Sequence, residues 1–504
     1  MSRLPEMTQN HTTPTAQLAD LPSLPRFLKS VADHPDPIPD LRAGVIGDGV
    51  LFDAGFGPQS LLYADYTASG RALRQVESFM AEQVLPFYAN THTEASFCGG
   101  VMTRLREAGR AEVARLTGAG PDCHVIFTGS GATGGLNRIV AGLDLAARAA
   151  RGERVAVLTG PYEHHSNILP WRESGVEVIE IPEAATGGPD MAALQDALAR
   201  VGGYDLVIGT FAAASNVTGI LTDTDAVTRI LKAAGAVAVW DYAAAAPYIP
   251  IDMSSGDTAK DAIVFSPHKF PGGPGATGIL VLRDGIGWRE TPTAPGGGSV
   301  RFVSPWDHLY STRIEAREEA GTPNVVGDIR AALALLVKDA VGCDRIAERD
   351  EAFRLRALEA WSKVPEIEIL GQRAGARALP VFSFRVRDGK GGLVHHQLFT
   401  RMLSDMYGIQ VRGGCACAGP YAHRLLDLDQ PASQAVTAQL DAGCELDRPG
   451  WVRLNFSYLF SDEQADRVIA AVAELARTAS GVAERYVGDP ATARFAPAAA
   501  AVDG

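Results

Sequence analysis

The stretch CHVIFTGSGATGGLN, Cys123 to Asn137, decides the fold. A continuous apolar run stops at Thr-Gly, a glycine-rich turn follows, and helical patterning begins at once. Backbone N–H groups at such a helix start make an anion cradle. Gly129, Gly131 and Gly134 also match the dinucleotide fingerprint G-x-G-x-x-G, which requires an acid about 20 residues on, at the end of the next strand. That strand ends VLTG, and Glu153 lies before it. The pattern therefore points to a phosphate site and away from a dinucleotide.

Working outward, six further runs share the same character: RVAVLTG, VEVIEI, DLVIGTF, AVAVWDY, DAIVFSP and TGILVLR. Runs that stay apolar without alternation suit strands covered on both faces. Helical stretches such as GGLNRIVAGLDLAARAA and DAVTRILKAAG separate several of them. The expectation is an α/β protein with a large, mostly parallel, seven-stranded sheet, whose ligands gather at the carboxyl ends of the strands. From about Val325 the style shifts to a long helix, a strand PVFSFRV, a helix GLVHHQLFTRMLSDMYG, a strand WVRLNFS and a final helix from Ser461. The expected organisation is an N-terminal extension over 1–45, partly disordered, a large domain over 46–324, a smaller α+β domain over 325–487 and a disordered tail over 488–504.

Bulk numbers set outer limits. The chain has 504 residues, 46% of them hydrophobic and 21% charged, which is ordinary for a soluble globular protein. A net charge of −13 argues against a nucleic-acid partner. No apolar run reaches membrane-spanning length, and the N-terminus lacks a signal-peptide pattern. Six cysteines in a chain of this length do not form a disulfide framework, so the cytoplasm is the expected location.

Two strand ends carry chemistry. Asp241 closes the run AVAVWD; alone, a strand-end Asp is usually a helix cap or core ion pair, and the sharper reading places it against the ring nitrogen of a pyridine cofactor. Lys269 follows VFSPH at the start of a loop of glycines and prolines, beside Ser266 and His268. A lysine after a strand is most often a surface residue, but a desolvated one is a Schiff-base nucleophile. Phosphate cradle, strand-end acid and strand-end lysine together point to pyridoxal 5'-phosphate.

The chain also carries, in order, YADYTASG, GSGATGGLN, YEHHSNILPW, SNVTG, WDYAAA, SPHK, GGGSV, AGTPN, RGGCACAGP and VRLNFSY. In these motifs it resembles the class V aminotransferases, a fold-type-I pyridoxal-phosphate family, and most closely their cysteine desulfurase and selenocysteine lyase branch. The resemblance implies that Lys269 binds the cofactor and shuttles protons, and that Asp241 pairs with the pyridine nitrogen. It implies that His164 stacks on the ring and acts in acid–base transfer, and that Asn216 bonds the phenolic oxygen or the substrate carboxylate. Ala132, Thr133, Ser266 and His268 would hold the phosphate. Thr322 would reach the phosphate of a partner subunit in a homodimer with shared sites. Arg453 would grip the substrate carboxylate with help from Arg412. Cys417, five residues after Arg412, would be the sulfur-accepting nucleophile. Cys415 stands where many relatives have histidine, and its reading stays open between assistance, sulfur relay and packing. A Cys-x-Cys without a second pair is a weak metal signal, and no metal is expected.

The implied activity is removal of sulfur or selenium from L-cysteine or a related amino acid through a cysteine persulfide, with release of alanine and a possible sulfur-acceptor protein. Two alternatives stand beside it: an aminotransferase or epimerase that does not use the cysteine, and a silent scaffold. The sequence departs from the family at Ala244, where a glutamine is usual, and in a long insertion over 425–450.

Overall fold

The computed structural model describes residues 21–91 and 93–498. The polar lead-in over 1–20 and the last six residues lie outside them. Within the expected N-terminal extension, helix α1 (Leu24–Ala32) buries Leu24, Phe27 and Val31 against the main core, and a short helix at Ile38–Ala43 buries Ile38 and Leu41. Helix α2 (Phe97–Leu116), capped by the Ser96 side chain, leads into the central sheet.

Strand β1 (Cys123–Gly129) runs straight into helix α3 (Gly131–Gly142). The chain then lays down β2 (Val155–Thr159), β3 (Glu177–Glu180), β4 (Leu206–Ala212), β5 (Val237–Asp241), β6 (Ala262–Phe265) and β7 (Gly278–Arg283). Their spatial order is β1-β7-β6-β5-β4-β2-β3. Only β7 runs against its neighbours; every other pairing is parallel. The expected seven-stranded, mostly parallel sheet is present, each strand on the run that announced it. The continuous apolar character has a direct cause. On β6, Ile263 and Phe265 enter one apolar cluster while Ala262 and Val264 enter the cluster on the other face. With both faces covered, alternation has no polar side to show.

After the sheet, the single helix expected from Val325 is two: α4 (Val325–Val341) and α5 (Cys343–Trp361), broken at Gly342 with φ +83°. That left-handed conformation suits glycine and ends the helix. Packing assigns the two differently. Helix α4 sinks Val325, Ile329 and Leu333 into the main core, whereas Phe353, Ala357 and Trp361 of α5 join the C-terminal one. Ile346 near the start of α5 still enters the main core, so the packing passes from one core to the other along α5.

The C-terminal sheet contains β8 (Ile367–Ile369), β9 (Val381–Arg387), β10 (Arg412–Gly414) and β11 (Trp451–Asn455), antiparallel in the order β8-β9-β11-β10. Helix α6 (His396–Tyr407), helix α7 (Gln430–Asp441) in the insertion, and helix α8 (Asp462–Val482) complete it; Ser461 and Gln464 form a capping box at the start of α8. The early segment Leu62–Tyr63 crosses over to pair with Ile409–Gln410, so Leu62, Ala64 and Tyr66 belong to the C-terminal core. Of the tail expected to be disordered over 488–504, residues 499–504 lie outside the described residues, and the described part forms a hairpin with the preceding residues, Tyr486–Asp489 with Arg494–Pro497. Asp489 explains it: its carboxylate accepts the Ala491 N–H at 2.9 Å and the Thr492 hydroxyl at 2.7 Å, closing the turn.

Candidate active site

The carboxyl ends of β1, β2, β4, β5 and β6 converge on a cavity of about 220 Å³, closed on its far side by Thr67, Ala68, Arg412, Cys417 and Arg453. Every residue expected at the site lines it except Thr322.

The anion cradle sits at the start of α3. Gly131 has φ +58°, and a Cβ there would lie 2.8 Å from Ser266 Oγ and 3.1 Å from His268 Cε1. No side chain caps the helix from Ser130. The Ala132 N–H donates to Ser266 Oγ at 2.9 Å, and Thr133 Oγ1 meets Ser166 Oγ at 2.7 Å. Burial, helped by Lys269, pushes His268 down to about 4, so its ring is neutral.

Asp241 ends β5 and is 5% exposed. Its Oδ1 accepts the Ala243 N–H at 2.8 Å. Burial raises its pKa, and that N–H and Lys269 only oppose the rise. Lys269 closes the short turn Pro267–Lys269 after β6. Burial drives its ammonium down to about 8, Arg453 and Arg412 reinforcing and Asp241 resisting. His164 Nδ1 accepts the Ser166 N–H at 3.1 Å, which leaves the ring proton on Nε2. Burial first, then Lys269, His165 and Arg453, hold it down to about 3, so it too is neutral.

Asn216 donates from Nδ2 to the Ala416 carbonyl at 2.7 Å, while its Oδ1 is buried without a partner. Arg453, 4% exposed, donates from Nη2 to Asp65 at 2.9 Å and from Nη1 to the Asn216 carbonyl at 3.2 Å. Arg412 donates from Nε to the other Asp65 oxygen at 3.0 Å.

Cys417 is exposed at the tip of a tight turn in which the Ala418 N–H reaches the Cys415 carbonyl at 3.3 Å. Both central residues, Ala416 and Cys417, have positive φ, 53° and 55°. Without glycine this costs roughly 1–2 kcal/mol per residue. Three bonds hold the turn: Asn216 to the Ala416 carbonyl, the His165 N–H to the Cys417 carbonyl at 2.9 Å, and the Gly419 N–H to His165 Nε2 at 2.9 Å. Cys415 packs, partly buried, against the cluster of Tyr162, Tyr421 and Trp451.

Thr322 is exposed, on the loop before α4. That loop leaves Glu319, which is tied to Arg106 at 2.6 Å, Arg110 at 2.7 Å and the Phe127 N–H at 2.8 Å. Sequence reading missed three contributors. Asp65 joins both arginines. Glu163, pushed up to about 8 by burial, accepts the Ala212 N–H at 2.8 Å and so ties the end of β2 to that of β4. Ser166 links His164 to Thr133. Glu163 and Ser166 flank the histidines of YEHHSN, and a buried acid beside them was the available signal.

The residues fit pyridoxal phosphate: a cradle that a Cβ would fill, a buried carboxyl short of a cation, an orphaned amide oxygen and a lysine tuned toward its free amine. Comparisons agree. The Aminotransferase class-V profile matches residues 62–467. A probable cysteine desulfurase of Vibrio cholerae is 30% identical over 418 residues, covering 82% of this chain and 93% of its own length. A cysteine desulfurase of Pectobacterium atrosepticum is 30% identical over 391 residues, covering 76% and 89%. The apo cysteine desulfurase of Thermococcus onnurineus superimposes with a TM-score of 0.71 at 25% identity, over 87% of this chain and 98% of that one. With the profile spanning most of its length, the chain belongs to the aminotransferase class-V family and is a pyridoxal-phosphate-dependent enzyme.

Proposed function

We propose that this enzyme removes sulfur from L-cysteine or a related amino acid, leaves it on Cys417 and releases alanine. Ser266, His268, Thr133 and the start of α3 hold the phosphate, Asp241 bonds the ring nitrogen, and neutral His164 offers the ring a flat, uncharged face. Pyridoxal phosphate supplies the electron sink that lets the substrate α-proton leave. Lys269 Nζ takes that proton, a task its depressed pKa suits. Arg453 and Arg412 orient the substrate carboxylate. The Cys417 thiolate attacks the substrate sulfur; an S–S bond forms, the C–S bond breaks with its pair left on Cβ, a solvent proton fills Cβ, and Lys269 returns its proton to Cα, giving alanine and the Cys417 persulfide. The observation that carries this reading is that an exposed cysteine on a strained turn shares one cavity with Lys269 and Asp241. The test is alanine and, with dithiothreitol added to reduce the Cys417 persulfide, sulfide in equal amounts from L-cysteine, with Cys417→Ser losing sulfur transfer while keeping cofactor absorbance; full sulfur release by that variant refutes the role of Cys417.

One observation favours a second reading, an aminotransferase or epimerase: Ala244 lines the cavity where relatives place a polar side chain, which changes the electronics around the cofactor. Neither alanine nor sulfide from cysteine in the presence of dithiothreitol, with transamination or epimerisation of another amino acid, would select it.

The enzyme works as a homodimer in which Thr322 serves the partner's phosphate. Support comes from the exposure of Thr322 and from the hairpin Val300–Val303/His308–Tyr310, which bares Phe302, Trp306 and Leu309. Sedimentation at micromolar protein tests it. An exposed Cys417 also suits delivery of sulfur to an acceptor protein. Among the described residues no helix is long and apolar enough to cross a membrane. The six cysteines are all free, which fits a reducing cytoplasm.

A further inference from the structure

The pair of arginines that faces the substrate is not free. Asp65 lies behind it and bonds one nitrogen of each: Arg412 Nε at 3.0 Å and Arg453 Nη2 at 2.9 Å. Its backbone is fixed, because its carbonyl accepts the Ala68 N–H at 2.9 Å and the Tyr63 hydroxyl at 3.1 Å. Asp65 is 6% exposed and does not line the cavity, while both arginines do. The carboxylate therefore spends one negative charge on two guanidiniums and leaves one positive charge to meet a ligand. The other groups facing the cavity do not alter that balance. Lys269 and Asp241 carry opposite charges that act on each other without an ion pair, and burial holds His164 and His268 neutral.

We propose that Asp65 is a specificity-determining positioning residue: it sets the arginine pair to accept a single carboxylate, so the enzyme takes amino acids with an uncharged side chain and rejects dicarboxylic ones. A second acidic group entering beside Arg412 would meet a half-exposed guanidinium whose charge Asp65 already shares, and would gain little from it. A substrate bearing only its α-carboxylate matches the charge that is left, through the guanidinium nitrogens that Asp65 does not use. The inference rests on the proposed seating of the substrate carboxylate at these arginines, and it adds the class of side chain that the seat allows.

The test is a titration of cofactor-loaded protein with L-alanine and with L-aspartate, following cofactor absorbance. Neither ligand releases sulfur, so failure of the desulfurase assay would defeat the proposed reaction and leave this result standing. In the unaltered enzyme, half-saturation by aspartate is expected at no less than ten times the concentration needed for alanine. Asp65→Asn, which keeps the shape and removes the charge, is expected to shrink that ratio at least tenfold through tighter aspartate binding. Asp65→Glu, which restores the charge, is expected to return the ratio toward the original. An unchanged ratio in Asp65→Asn overturns the proposal, as does an Asp65→Glu protein that behaves like Asp65→Asn. Should the asparagine variant not fold, the unaltered enzyme still decides: equal affinity for the two amino acids overturns the proposal.

Discussion

The lysine and the cysteine face one cavity but are held there by different means. Lys269 and Asp241 stand at the ends of β6 and β5, paired parallel in the sheet and buried on both faces. Moving either means disturbing the main core. Cys417 hangs on a four-residue turn with two positive-φ residues and three outside hydrogen bonds. Each of those bonds is worth about 1 kcal/mol net, comparable to the strain they offset. On the proposed mechanism, the contrast separates a fixed floor, where electrons would be managed, from a spring-loaded arm, where sulfur would be handled. A nucleophile that must attack and then unload its cargo benefits from the second arrangement; a proton shuttle needs the first.

Substitutions test that division, beginning with the largest effect. Lys269→Ala is expected to lower turnover at least about 10³-fold and to erase the absorbance of protein-linked cofactor, because the floor loses its proton carrier. Cys417→Ser is expected to lose sulfur transfer as completely, with cofactor spectrum and melting temperature unmoved. If the spectrum of Cys417→Ser collapses as well, floor and arm are not separate. Acidity gives a finer probe. Burial favours the free amine of Lys269, so its deprotonated fraction climbs through pH 8, and capture of cofactor by cofactor-free protein is expected to speed up about tenfold from pH 7 to pH 9 and then level off. A profile that instead falls over this range would contradict a desolvated lysine. Smallest is His165→Ala, which removes the acceptor for the Gly419 N–H and loosens the arm alone. We expect about a fivefold slower sulfur transfer, unchanged cofactor affinity, and partial rescue by His165→Asn.

The same division decides what was legible in the sequence. The sheet strands could be read because burial on both faces writes an unbroken apolar run, and Asp241, Ser266, His268 and Lys269 could be read because each directly follows one. The turn at Cys417 was visible only as a spacing from Arg412; nothing local announces positive φ at an alanine and a cysteine, and the bonds that enforce it come from His165 and Asn216, far back in the chain. Asp65 was hidden for the same reason. It lies 347 residues from Arg412 and 388 from Arg453, and YADYT looks like an ordinary strand end until the C-terminal sheet folds onto it. Gly342 could have flagged the split between α4 and α5, but a lone glycine in an alanine- and leucine-rich run is also tolerated within helices. Thr322 differs from all of these, because its expected role needs a second subunit.

Gly70 ties these pieces together mechanically. Its N–H donates to the His268 carbonyl at 2.8 Å, and a methyl group at this position would come within 1.9 Å of the Phe270 carbonyl oxygen. Four residues earlier, Tyr66 is anchored in the C-terminal core. A short strap therefore runs from the half that carries the arginines to the backbone that carries the lysine, with no slack at its lysine end. On the proposed mechanism, a movement of the arginine-bearing half toward the substrate would reach the lysine's backbone through this strap.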